Sequence, residues 1–160
     1  INSSDIFFNK LSSVRKASVW SEKYENNNNI WINSAHSGYK SIFGIIHNRK
    51  IHIDSKKLTI RGQDYFSKPT KHYINLPKKM FLRFHIHPDI KLNVTTSKKK
   101  VFLQLKNNIA WEFICSEAKI TLKEGIYLGA KKTIQKNNHI LISENLVPEK
   151  KIKWMFRLIK

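Results

Sequence analysis

The sequence predicts an all-β chain: an antiparallel β-sandwich of two layers, connected as a meander, with little or no helix. Three observations carry that prediction. Apolar, β-branched and aromatic residues alternate with polar ones over short runs, turn residues interrupt the runs at intervals of roughly ten residues, and the 3.6-residue period of an amphipathic helix is hard to find. Antiparallel sheets can keep one face wet, which lets a chain this rich in lysine fold.

In chain order, "DIFF", "SVRKASVW" and "NIWINSAH" read as the first strands. The "ENNNN" before Ile30 reads as a hairpin or loop tip, because asparagine tolerates left-handed backbone. "SIFGIIHNRKIHID" reads as one long strand, "DSKK" as the turn after it and "KLTIRG" as the next strand. "HYINL" follows the turn "SKPTK", then come "FLRFHIHP" and "IKLNVT", and "TSKKK" turns the chain into "KVFLQL". A "KNN" turn precedes "AWEFICS" and "KITLKE"; "TIQK", a second "KNN" turn, "HILISE" and "KIKWMFRLIK" complete the chain. In the last of these Trp154, Phe156 and Leu158 alternate with Met155 and Arg157, the pattern of a core-facing strand rather than of a base-stacking platform.

With 160 residues, 41% of them hydrophobic, the chain can bury one proper core, so a single domain over 1–160 is expected. No window approaches the ~20 apolar residues of a membrane-spanning helix. "INSSDIFFNK" has neither an initiator Met nor the order of a signal peptide, so the chain reads as a piece of something longer. Cys115 has no partner for an internal disulfide and reads as a buried, inert thiol. The net charge of +19 points to a polyanionic partner. Arginine stands only at Arg15, Arg49, Arg61, Arg83 and Arg157, however, and a lysine- and asparagine-rich surface is also what an AT-rich genome writes. Lysines in "KIHIDSKK" and "TTSKKK" would blunt edges and turns against aggregation in either case.

"MFLRFHIHPDI" holds His85 and His87 one residue apart. On a strand Arg83, His85 and His87 share one face, with Leu82, Phe84 and Ile86 on the other, and Pro88 ends the strand. Two imidazoles at this spacing can converge on a metal, but the third ligand would have to come from His36, His47, His52, Asp54 or Asp89, and no spacing compels the choice. A structural or substrate-facing role is the preferred reading. A second cluster, "SAHSGYKSIFGIIHNRKIHID", holds His36, Tyr39, His47, Arg49 and His52. A Tyr beside a His could serve as acid and base, with Arg49 neutralising a carboxylate; against this, Gly38 reads as a turn or bulge and Tyr39 as a packed ring with its hydroxyl at the rim. The sequence lacks G-x-S-x-G, a P-loop, G-x-G-x-x-G and a close acidic pair for glycoside hydrolysis.

In their order along the chain these segments resemble the C-terminal part of bacterial heparinase II/III-like proteins, a group of polysaccharide lyases and their relatives. "NSSDIFF" resembles the segment after the family's Ala-His-Asn-Thr element, "AHSGYKSIFGIIHNRKIHI" its His-x-Gly-Tyr and Gly-x-x-His-x-Arg region, and "FLRFHIHPDI" its Phe-His-Leu-His-Pro strand. "KLTIRGQDYF", "AWEF", "GIYLGAKKTIQ" and "KIKWMFRLI" follow suitably, so nearly the whole chain is covered. Gly62 departs from the family, which often carries an acidic residue there.

The resemblance implies a β-sandwich C-terminal region preceded by an α-helical toroid. Family lyases act on acidic, uronate-containing glycans such as glycosaminoglycans by β-elimination. Their catalytic Tyr, Asn and His residues, and their metal-binding His and Asp residues, lie upstream, in the toroid and near a His-x-His-Ala-Asp element. Those motifs are missing from this sequence, and "HIHP" lacks the Ala-Asp continuation. No catalytic residue, metal ligand or cofactor is therefore assigned to the chain. The expectation is a lyase fragment, inactive alone, that supports the toroid and lines its cleft. His36, Tyr39, His47, Arg49, Arg83, His85 and His87 would then form a polar face toward the cleft or the upstream domain. The implied partners are an acidic polysaccharide and the toroid, nucleic acid being disfavoured, and the implied location is the periplasm or cell envelope. The rival reading is a stand-alone basic module that binds acidic polysaccharide or nucleic acid.

Overall fold

The computed structural model describes residues 17–69, 76–107, 109–129 and 134–159. The "DIFF" reading, the first part of "SVRKASVW" and most of "HYINL" lie outside the described residues. The chain runs through β1 (Val19–Asn26), β2 (Asn29–His36), a one-turn helix α1 (Lys40–Phe43), β3 (His47–Asp54), β4 (Thr59–Phe66) and β5 (Lys79–His85). It continues through β6 (Lys91–Val94), β7 (Lys100–Gln104), β8 (Ala110–Ile114), β9 (Ile120–Tyr127), β10 (Gln135–Asn145) and β11 (Ile152–Ile159). One sheet has eight strands in the order β1-β2-β3-β4-β11-β8-β7-β6, and the second has three in the order β5-β10-β9. Every pairing is antiparallel. The predicted all-β sandwich is what the chain forms.

Local chemistry sets the first hairpin. Asn27 and Asn28 join β1 to β2 with φ of 43° and 67°, the two left-handed residues of the turn whose twist matches paired strands. At the next hairpin the Asp54 carboxylate accepts the backbone N–H of Lys57 at 2.9 Å, closing the "DSKK" turn.

The core lies between the three-stranded sheet and the β4-β11-β8-β7 half of the larger one. Met80 and Leu82 of β5, Ile120 of β9, and Ile140 and Ile142 of β10 meet Val101, Leu103, Phe113, Ile152 and Trp154. The Phe84 ring bridges the layers, 4.9 Å from both Phe113 and Trp154 and 5.8 Å from Phe156. Of Trp154, Phe156 and Leu158, read from the sequence as core-facing, Trp154 is buried, Phe156 packs partly buried against the core and Leu158 is half-buried, while Ile152 on the same phase is fully buried. Cys115 is buried, and burial raises its thiol pKa, which suits an inert residue. β1, by contrast, is exposed along its whole length.

Three sequence expectations are corrected. "SIFGIIHNRKIHID" is not one strand: Lys40–Phe43 form α1, Gly44 caps it in the left-handed conformation at φ 70°, and β3 begins only at His47. Only glycine enters that conformation cheaply, so Gly44 stops the helix and swings the fully buried Ile45 into the core. The second "KNN" is not a turn: Asn137 and Asn138 pair with Gly125 and Glu124, so Gln135 and Lys136 run on through them into "HILISE" as the single strand β10. The "FLRFHIHP" strand ends at His85 rather than at Pro88. The Ile86 N–H still bonds the Asn138 carbonyl, but Pro88 offers no donor and the Ile90 N–H closes a turn onto the His87 carbonyl.

Candidate functional site

Strand period and register bring four of the five residues of the "SAHSGYKSIFGIIHNRKIHID" cluster together, all but His52. His36 of β2 pairs directly with His47 of β3, and Arg49 of β3 with Asp64 of β4, all on the inward phase of the large sheet. Asp64 is the hub, with 0% of its surface exposed. Its Oδ1 accepts from His47 Nε2 at 2.7 Å and from Arg49 Nε at 2.8 Å, while Oδ2 accepts from Trp154 Nε1 at 2.7 Å. Beyond His47 the chain of contacts continues: His36 Nε2 and His47 Nδ1 lie 3.1 Å apart, and the Gly38 N–H donates to His36 Nδ1 at 3.3 Å.

That last bond fixes the protons. With Nδ1 accepting from Gly38, neutral His36 carries its proton on Nε2 and donates it to His47 Nδ1, which leaves His47 Nε2–H to donate to Asp64. Both imidazoles are satisfied at both nitrogens, and Arg49 balances the buried carboxylate. The Arg49 guanidinium also lies 5.7 Å from the centres of the Phe84 and Trp154 rings. Tyr39 completes the group by packing its ring on His36 at 5.3 Å and Phe66 at 5.5 Å.

Gly62 makes this geometry possible. It pairs with Trp154 across β4 and β11, and a Cβ there would lie 2.1 Å from the indole Cζ2. With no side chain in the way, the indole crosses Gly62 to reach Asp64, which gives a physical reason for glycine there.

The titration behaviour follows. Burial pushes the Asp64 pKa up, but the His47 hydrogen bond, the charge and hydrogen bond of Arg49, and the Trp154 bond outweigh it and leave it lowered. His36 is lowered by burial first and by the neighbouring His47 and Arg49 charges second. A histidine lowered on folding contributes stability that is fully present above its unfolded value of 6.5 and is lost as pH falls, because the unfolded chain binds the proton more readily. The urea midpoint is therefore expected to decline as the pH is taken from 7.5 down through about 6.5 to 5. A His36→Gln variant should show a shallower decline; an unchanged slope would contradict the network.

The "MFLRFHIHPDI" group is elsewhere. Arg83 and His85 lie exposed on the outward face of the three-stranded sheet, where His85 pairs with His139 and their rings are 5.2 Å apart. His87 stands past the strand end against Tyr127, with its Nδ1 accepting from the Asp89 N–H. Burial, then the charges of His85, Arg83 and Lys123, lowers the His139 pKa. Among the described residues His139 Nδ1 and Asn137 Oδ1 are buried without a hydrogen-bond partner, and no group of three or more His, Cys, Asp or Glu side chains is placed to hold a metal. His52 and Asp54, weighed as third ligands, point to the opposite face of the large sheet from His47.

Sequence reasoning missed Asp64 and Trp154 as members of the site. The signal was present: Ile60, Gly62, Asp64 and Phe66 share one phase of an amphipathic strand, and a carboxylate on the inward phase demands partners.

Two packed antiparallel sheets, pinned by a buried carboxylate that holds two histidines, an arginine and a tryptophan, define a β-sandwich domain. Residues 3–155 match the family described as heparinase II/III-like, C-terminal, and the chain belongs to that family. Among solved structures the heparan sulfate lyase HepC from Pedobacter heparinus superposes with a TM-score of 0.73 at 10% identity, covering 92% of this chain and 22% of that one. Heparinase III gives a TM-score of 0.65 at 13% identity, covering 89% of this chain and 21% of that one. The FtsZ-localized protein C of Caulobacter vibrioides is 24% identical over 104 residues, 59% of this chain and 17% of the relative. The chain thus spans about a sixth to a fifth of the length of these three proteins.

Proposed function

We propose that this chain is the C-terminal sandwich of a polysaccharide lyase acting on acidic, uronate-containing glycans by β-elimination, and that it holds and faces the cleft without carrying out the chemistry. The observation behind this reading is the Asp64 network. Every ring nitrogen of His36 and His47 is committed to an internal hydrogen bond, so the cluster tightens β2, β3, β4 and β11 rather than offering a free base. Arg83, His85 and His87 have a different part: exposed on and beside the smaller sheet, they are the surface that would meet a helical toroid. No metal or cofactor is needed within this chain on this reading. A lyase of this kind works on exported glycan, which agrees with a periplasmic or envelope location.

The test is retention on immobilised glycans. At moderate ionic strength the chain should be held by a uronate-containing polymer and pass through a neutral polymer of the same length. Equal passage through both would sink the glycan-facing reading.

A further inference from the structure

The outward face of the large sheet, opposite the Asp64 network, carries an open groove of about 710 Å³. Register builds it. Direct pairing places Tyr24, Trp31, His52, Arg61, Met155 and Ile114 in one row across β1, β2, β3, β4, β11 and β8. Five steps of about 4.8 Å between neighbouring strands make that row about 24 Å long. A second row beside it, two residues along each strand, sets out Asn33, Lys50, Gln63 and Lys153.

One end of the groove is an aromatic wall. Tyr24 and Trp31 have ring centres 5.4 Å apart, and Trp31 stacks on His52 at 5.0 Å and 17°. The Asn29 side chain holds the His52 ring at 2.9 Å, yet Tyr24 stays 60% and Trp31 37% exposed. The charged residues lining the groove are all basic: Lys50, Arg61 and Lys153. Glu22 pairs with Asn33 at the far edge of the second row and does not line the groove.

We propose that this groove binds an anionic oligosaccharide laid across the strands. The C–H-rich face of a pyranose ring packs on the aromatic wall, its carboxylate or sulfate accepts from Arg61, Lys50 and Lys153, and its hydroxyls bond the Asn33 and Gln63 amides. Single-stranded nucleic acid fits less well, because it needs a succession of aromatic platforms along its backbone and these three rings are gathered in one contiguous cluster at one end of the groove. The proposal rests on the glycan reading only for the class of ligand; which face of the chain binds it is a separate matter.

Calorimetry on the 160-residue chain distinguishes the outcomes, using a heparin-derived oligosaccharide, an unsulfated oligogalacturonate and an oligothymidylate as probes. The chain should bind one or both glycans more tightly than the oligothymidylate, and the stronger of the two assigns the groove to sulfate or carboxylate. Trp31→Ala, or Arg61→Gln with Lys153→Gln, should weaken glycan binding about tenfold. Lys119→Gln with Lys136→Gln, outside the groove, should change it less than about twofold. Because Trp31 is partly exposed, circular dichroism should show its variant folded, with Tyr24→Ala as a second readout of the wall. Glycan binding that ignores every groove substitution overturns the groove but leaves the glycan reading standing; no glycan binding, or tighter binding of oligothymidylate, overturns both.

Discussion

Asp64→Ala is expected to lower the unfolding free energy by about 3–5 kcal/mol, the cost of removing one partner from a buried ion pair. The substitution orphans three donors at once, on His47, Arg49 and Trp154. It also leaves the Arg49 guanidinium uncompensated beside the Phe84 and Trp154 rings. Asp64→Asn keeps the volume and some accepting capacity but gives up the charge, so it should fall between the parent and the alanine variant. Urea unfolding of the three proteins checks the order, and a loss below about 1 kcal/mol for Asp64→Ala would show that the network does not hold the sheet.

Phe113→Ala is expected to cost about 3–5 kcal/mol for a different reason, the cavity left by a fully buried ring. Phe113 is 0% exposed, its ring centre 4.7 Å from Phe156 and 4.9 Å from Phe84, and the surrounding aromatics belong to both layers, so they cannot collapse without moving the sheets. The control is Phe102→Ala on the neighbouring strand. Phe102 is 40% exposed and points away from the core, so its loss should stay within about 0.5 kcal/mol. Equal effects at the two positions would contradict the assignment of inner and outer faces.

These contrasts mark what the sequence could and could not disclose. Period-2 patterning predicts which side of each strand is buried, and in "KIKWMFRLI" it places Trp154 in the core and Phe156 against it. The asparagine tip holds because the backbone preference is local to Asn27 and Asn28. What was not legible depends on partners far along the chain. Insertion of β11 between β4 and β8 joins strands distant in sequence, and nothing in "KLTIRG" or "AWEF" names that neighbour. The continuity of β10 from Gln135 through "HILISE" was hidden because Asn137 and Asn138 look like turn residues until β9 pairs with them.

The site divided along the same line. Of the five residues singled out together, His36, Tyr39, His47 and Arg49 do meet, because they lie on or beside one hairpin, while His52 faces the other side of the sheet. Asp64 and Trp154 reach them only through sheet order, and the Gly62 gap that admits the indole has no sequence signature of its own. One long-range feature was nearly readable: the two-residue turn at Asn27–Asn28 forces Tyr24 opposite Trp31, which starts the aromatic wall of the outer groove.

The most direct measurement of the account follows the ultraviolet absorbance of unsaturated uronate while the purified 160-residue chain is incubated with heparan sulfate and with other uronate-containing glycans. The account predicts that the chain binds acidic glycan and generates no unsaturated product. Absorbance that grows with time and with protein concentration would contradict it and place the chemistry within this sandwich.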